Sequence, residues 1–252
     1  MIEIEIHRYA TLGIFAMAAV TIVSLRFVVA PYGRHDRQGW GPRVSSLTGW
    51  LVMETPAVVV FLACFVAGDR ASELVPLVLL GIWQFHYLHR TLVFPFRMRF
   101  RDKEMPWIVP LMGLGFNSIN AYVNARWISH FGSYDTGWLA DPRFLVGAAL
   151  FAIGFAVNTK ADRMLAALRR PGETDYKIPR GWLYEYITCP NYFGEILEWI
   201  GWAIATWSLP ALGFALFTIA NVGPRAFAHR RWYLERFPDF PRRRKALIPF
   251  LF

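Results

Sequence analysis

Residues 47–67 read LTGWLVMETPAVVVFLACFVA, and this stretch decides the fold. A helix needs about 20 mainly apolar residues, each rising about 1.5 Å, to cross the hydrocarbon of a bilayer. The stretch meets that requirement with Glu54 as its one charged residue. Comparable runs lie on either side of it, at 9–30, 74–95 and 105–125, with weaker ones at 144–159, 191–207 and 209–224. The last two are separated by the Ser208-Leu209-Pro210 break. The pattern predicts an all-α integral membrane protein, a bundle of about seven transmembrane helices in a single domain spanning 1–252, with a long polar loop at 160–190.

Composition agrees. Of 252 residues, 55% are hydrophobic and 18% charged, more apolar surface than one soluble core buries. The 11 Trp and 10 Tyr suit the belts where a bilayer meets water. A net charge of +9 fits topology and anionic headgroups better than nucleic acid, because the basic residues sit between apolar runs instead of forming a soluble face. Cys64 and Cys189 lie in unlike surroundings and imply neither a disulfide framework nor a zinc site. The first apolar run is too long for a removable leader and lacks a small-residue cleavage pattern, so it reads as a permanent span.

Seven spans place Lys and Arg unevenly. Arg34, Arg37 and Arg43, the cluster Arg97 to Lys103, the loop Lys160 to Arg180 and the tail Arg225 to Lys245 fall on one side. Only Arg8, Arg70, Arg126 and Arg143 fall on the other. The positive-inside rule then sets the N-terminus outside and the C-terminus in the cytosol, where nicotinamide cofactors are found.

Ionisable groups at membrane depth are functional candidates because they are expensive there. Glu54 lies about 7 residues, roughly 10 Å, into its span, and Tyr87 about 8 residues, roughly 12 Å, from the same side of the next. A carboxyl group in so apolar a setting favours its neutral form, so acid and phenol can both donate to one carbonyl oxygen. A purely structural alternative has Glu54 pairing with Arg90 or His86 to tie two helices. The run His86, Tyr87, His89, Arg90 has no Cys or carboxylate at ligand spacing, so no metal is expected. Glu195 and Glu198 share a helical face and call for basic partners such as Arg169, Arg225 or His229, either as a helix staple or as a polar box for a cofactor. Gly113-x-Gly115 lies inside an apolar run with Ser118 at the third glycine position, so any nicotinamide site is not of the Rossmann type.

Several strings resemble the steroid 5α-reductase family over essentially the whole chain. They are Tyr32-Gly33-Arg34-His35, Glu54-x-Pro56, His86-Tyr87-Leu88-His89-Arg90, Asp141-Pro142-Arg143-Phe144 and Asn158-x-x-x-Asp162. Leu168-Arg169-Arg170-Pro171-Gly172-Glu173-Thr174-x-Tyr176-Lys177-Ile178-Pro179-Arg180-Gly181 follows, then Asn191-Tyr192-Phe193-Gly194-Glu195-x-x-Glu198-Trp199 and Ala246-Leu247-Ile248-Pro249-Phe250-Leu251-Phe252. The resemblance implies a seven-helix bundle enclosing NADPH and a 3-oxo-Δ4-steroid. Glu54 and Tyr87 are then the catalytic pair, and Asn158, Asp162, Arg169, Tyr176, Lys177, Asn191, Glu195, His229 and Tyr233 the cofactor contacts. Hydride goes to C5 while the pair hydrogen-bonds the ketone oxygen, where negative charge grows. Cys189-Pro190 departs from the Arg-His-Pro common in related membrane enzymes, and the Pro-Asn-Tyr-x-Gly segment is shared with isoprenylcysteine methyltransferases. Reduction of a polyprenal, a sterol or an enoyl thioester, methyl transfer from S-adenosylmethionine, and non-enzymatic lipid binding therefore stay open. The expected partners are a lipophilic steroid and membrane lipids, without nucleic acid, in a monomer. The expected membrane is the endoplasmic reticulum in a eukaryote or the inner membrane in a bacterium.

Overall fold

A computed structural model describes residues 2–97, 103–168, 173 and 175–251. It is mostly helical. Helix α1 is Ile2–Phe27, α2 Ser46–Val66, α3 Leu74–Leu88, α4 Phe94–Arg97, α5 Ile108–Arg126, α6 Pro142–Ala167, α7 Pro190–Thr206 and α8 Leu209–Arg236. Strands β1 (Arg43–Ser45) and β2 (Glu104–Pro106) form a two-stranded antiparallel ribbon that pairs Val44 with Met105. Capping follows the sequence. Ser45 accepts from the Thr48 N–H at the start of α2, Asp141 from the Arg143 N–H at α6 and Ser208 from the Ala211 N–H at α8.

Four helices, α1, α2, α6 and α8, are long and apolar enough to cross a membrane. The runs expected at 74–95, 105–125 and 191–207 are helical but fall short of that measure, each for a local reason. The third run divides: α3 gives way to a π-helical turn, His89–Val93, before α4. Helix α5 carries Asn117, Asn120 and Asn124 inward. Helix α7 is only 17 residues long and carries two glutamates.

The π turn explains one contact that matters below. The Phe94 N–H bonds back to the His89 carbonyl, and Pro95 has no N–H to offer the Arg90 carbonyl. Trp50 Nε1 on α2 fills that vacancy at 3.0 Å.

The closest packing joins α6 to α7. Gly147 faces Gly201 and Gly154 faces Gly194 across antiparallel helices. A methyl group on Gly147 would come within 2.6 Å of the Gly201 carbonyl, and one on Gly154 within 2.6 Å of the Gly194 carbonyl. Small residues let two backbones approach this closely. Helices α2 and α5 form a second pair, in which Asn117 Nδ2 donates to the Met53 carbonyl at 2.7 Å, and α1 packs along α8. Between the pairs lies an aromatic core centred on Trp83, whose ring is 4.4 Å from Phe61, 4.8 Å from Tyr87 and 5.4 Å from Trp202. Asn124 Nδ2 donates to Asn120 Oδ1 at 2.9 Å and Trp202 Nε1 donates to Asn124 Oδ1 at 3.0 Å, which satisfies the Asn124 amide and leaves Asn120 Nδ2 without a partner among the described residues.

Candidate active site

One end of the bundle holds a cavity of about 1460 Å³. Its walls come from α2, the π turn, the ends of α6 and α8, the start of α7 and the Tyr32–Asp36 segment. The glycine contacts hold α6 and α7 together as one wall, and α2 contributes Ser46, Leu47, Trp50, Met53 and Glu54 to another.

On the α2 wall Glu54 is buried at 8% exposure, and its Oε1 lies 4.0 Å from Arg90 Nε. The Arg90 guanidinium stacks on Trp50 at 4.6 Å and on Phe94 at 4.3 Å, while its Nη1 lies 3.7 Å from Asp162 Oδ2. On the other wall Asn191 Nδ2 donates to Asp162 Oδ1 at 3.1 Å, and Asn158 Nδ2 donates to the Asn191 carbonyl at 3.0 Å. Glu54, Arg90, Asp162, Asn191 and Asn158 thus form one polar chain from α2 to α7.

The outer part is cationic and aromatic. The Arg34 guanidinium sits among Tyr233 at 4.8 Å, Trp232 at 5.3 Å and Tyr176 at 5.5 Å. Arg225 lies over Tyr32 at 4.7 Å and Tyr192 at 5.4 Å. The His35 and His229 rings stack 5.2 Å apart, and Tyr233 donates to the Lys177 carbonyl at 3.3 Å. Burial, with help from the charges of Arg34, Arg225 and Arg37, pushes the His35 imidazole down to about 4 from its ordinary 6.5. Burial likewise pushes the Cys189 thiol up to about 12, keeping it an inert neutral neighbour of His229 Nδ1 at 3.7 Å.

Nine of the residues expected from sequence therefore meet at one cavity: Glu54, Asn158, Asp162, Tyr176, Lys177, Asn191, Glu195, His229 and Tyr233. Arg169 lies outside the described residues. Tyr87 lies one layer inward, 3% exposed, against Trp83 at 4.8 Å and Trp199 at 5.7 Å. The structural alternative for Glu54 is half met: Arg90 is its neighbour, whereas His86 pairs with Glu198. Arg34, Trp50 and Arg90 were not among the expected site residues, and Arg225 was expected only as a basic partner for Glu195 and Glu198. A positive charge at membrane depth was the available signal for Arg90, and for Arg34 its place in the Tyr32–His35 string.

Residues 103–252 match the family model described as 3-oxo-5-alpha-steroid 4-dehydrogenase. The chain is 43% identical over 252 residues to steroid 5-alpha-reductase DET2 of Gossypium hirsutum, covering 98% of each. It is 40% identical over 253 residues to steroid 5-alpha-reductase DET2 of Arabidopsis thaliana, covering 97% of this chain and 96% of that one. It is 43% identical over 240 residues to 3-oxo-5-alpha-steroid 4-dehydrogenase 1 of Bos taurus, covering 94% of this chain and 93% of that one. With a family model matching more than half of its length and such relatives along almost all of it, the chain belongs to the steroid 5α-reductase family.

Proposed function

We propose that this protein uses NADPH to saturate the Δ4 double bond of a 3-oxo-Δ4-steroid, giving the 5α-dihydro product. The observation that carries the reading is the cavity itself, where a buried acid, Glu54, faces a chain of amides and acids under a cationic rim. Pockets for one small ligand usually enclose about 300–1,000 Å³. A volume of about 1460 Å³ leaves room for a dinucleotide and a steroid together.

The residues fit a dinucleotide. Arg225 has no acidic partner within ion-pair distance among the described residues, and Arg34 Nη1 is buried without a hydrogen-bond partner. Half-buried cations with unused donors suit phosphate oxygens. Arg34, Arg225 and Lys177 would meet the phosphates, together with Arg169. Asn158, Asp162, Asn191 and Glu195 would take the ribose hydroxyls and the carboxamide. His229, Tyr176 and Tyr233 would supply ring surface.

When bound, the cofactor supplies the hydride. Glu54 on the cavity wall and Tyr87, which the steroid meets by reaching one layer inward, hold the ketone oxygen with two donated hydrogen bonds, which strengthen as the electron pair of the enone moves onto that oxygen. The aromatic core around Trp83 and Trp199 keeps bulk water from the reacting carbons. A proton added at the α carbon then balances the hydride at the β carbon. The same reading takes all seven long helices as spans, with the N-terminus outside and the cofactor end of the cavity cytosolic.

The test is oxidation of NADPH by the purified protein with testosterone or progesterone, comparing wild type with Glu54→Gln. A 5α-dihydro product formed only by wild type is the expected result. Cofactor binding without steroid reduction would overturn the substrate, and absence of cofactor binding would overturn the reductase reading.

A further inference from the structure

A second, smaller cavity of about 200 Å³ lies on the flank of the bundle, between the π turn with α4 and the last turns of α6. It shares Phe94, Asp162 and Ala166 with the large cavity, whereas His89, Arg97, Thr159 and Arg163 line it alone. Nothing in the proposed reaction uses it.

Its polar groups are cationic or donors. Arg97 and Arg163 line it, both exposed, and neither makes an ion pair among the described residues. His89 lines it with its Nε2 buried and unpartnered, and Thr159 with its Oγ1 in the same state. The charges of both arginines bear on the His89 ring. The one acid among its described lining residues, Asp162, has its two oxygens committed to Asn191 and Arg90. Four groups that favour an anion converge there with no free anion among the described residues to receive them.

The level in the fold narrows the choice. Helix α6 is apolar from Phe144 to Val157 and turns polar at Asn158, Thr159 and Lys160. The third helical run, whose span ends near residue 95, is followed by Arg97. Arg97 and Arg163, which line one cavity from two neighbouring segments, mark the plane where hydrocarbon gives way to headgroups. Just inside that plane Phe85 is 58% exposed, with its ring 4.8 Å from Phe155, and Phe155 in turn lies 5.1 Å from the His89 ring. An apolar track therefore leads away from the cationic cavity toward the membrane centre.

We propose that this cavity binds the headgroup of an anionic phospholipid, with Arg97, Arg163, His89 and Thr159 holding the phosphodiester and the acyl chains lying along Phe85 and Phe155. A soluble phosphate would use the same donors but not the apolar track. The inference is independent of the steroid reading, since none of its four donors lines the large cavity.

The experiment is native mass spectrometry of the full chain purified in detergent with equal amounts of phosphatidylglycerol and phosphatidylcholine. Wild type is expected to retain phosphatidylglycerol preferentially, and Arg97→Gln and Arg163→Gln each to weaken that preference roughly fivefold, about the worth of one basic side chain at an anionic surface. Both arginines are exposed, so the variants are expected to fold. A thermal melt without lipid confirms it, and Thr159→Val gives an uncharged second probe. An equal uptake of the two lipids, or a preference unchanged in the double arginine variant, would overturn the proposal. Displacement of the lipid by inorganic phosphate at the same concentration would overturn its lipid part, reassigning the donors to a soluble anion.

Discussion

Glu198 on α7 and His86 on α3 are joined across the core, Oε1 to Nδ1, at 2.6 Å, and no part of Glu198 reaches solvent. The pair sits beside the proposed chemistry, because the His86 ring is 4.9 Å from the Tyr87 ring and 4.6 Å from Trp199. It ties the helix that carries Tyr87 to the one that carries Glu195 and Asn191.

Glu198→Ala should therefore lower both stability and turnover. Leaving one buried polar partner unmet costs about 1–3 kcal/mol. Thermal unfolding in detergent should show that loss, with Glu198→Gln falling between the alanine variant and wild type. Unchanged melting in the alanine variant would mean that the bond contributes nothing.

Glu54→Gln and Tyr87→Phe should each lower kcat by on the order of 100-fold, the usual consequence of removing one donor to a developing oxyanion. Cofactor affinity, followed by fluorescence of the bound dinucleotide, should stay within a few-fold of wild type. A large loss of affinity in Tyr87→Phe would contradict its position one layer behind the cavity wall.

Gly154→Ala should be damaging and Gly81→Ala benign. The new methyl at 154 meets the backbone of α7, and overpacking of this kind typically costs about 1–3 kcal/mol. A methyl at 81 meets nothing within 4 Å. Because Asn158 and Asn191 hydrogen-bond across this same interface, Gly154→Ala should also raise the KM for NADPH.

Acid should weaken the loop over the cavity. The folded His35 pKa, about 4, lies below the unfolded value near 6.5, so the unfolded chain binds the extra proton first. The stabilisation is complete above pH 6.5 and is lost as pH falls through about 4. The groups facing this imidazole are Arg34, Arg37, Arg225 and the stacked His229 ring. His35→Asn should flatten the change in melting temperature over that range, and an unaltered pH profile would assign the acid sensitivity elsewhere.

Much of this was legible in the sequence, and the limits have physical causes. Long apolar runs announce helices because lipid accepts little else, and Glu54 stood out because a charge there is conspicuous. The wall of amides and acids was reached through matching strings, not through spacing, because Asn158, Asn191 and His229 come from three separate helices. The glycine contacts were missed although Gly147, Gly154, Gly194 and Gly201 were in plain view, since nothing in one sequence says which helix faces which. The third run was read as one uniform helix, whereas Pro95 deprives the Arg90 carbonyl of its helical partner, a mismatch visible only once hydrogen bonds are counted.

The glycine seam also sets where inherited variation can accumulate. Two positions on each of two helices admit hydrogen and nothing larger, so every accepted change along α6 and α7 must fall on other faces. The outward positions of α6, such as Leu145, Val146 and Ile153, are free to drift among apolar residues. A comprehensive substitution library of this protein should therefore show a seven-residue rhythm of intolerance on both helices, in register with each other.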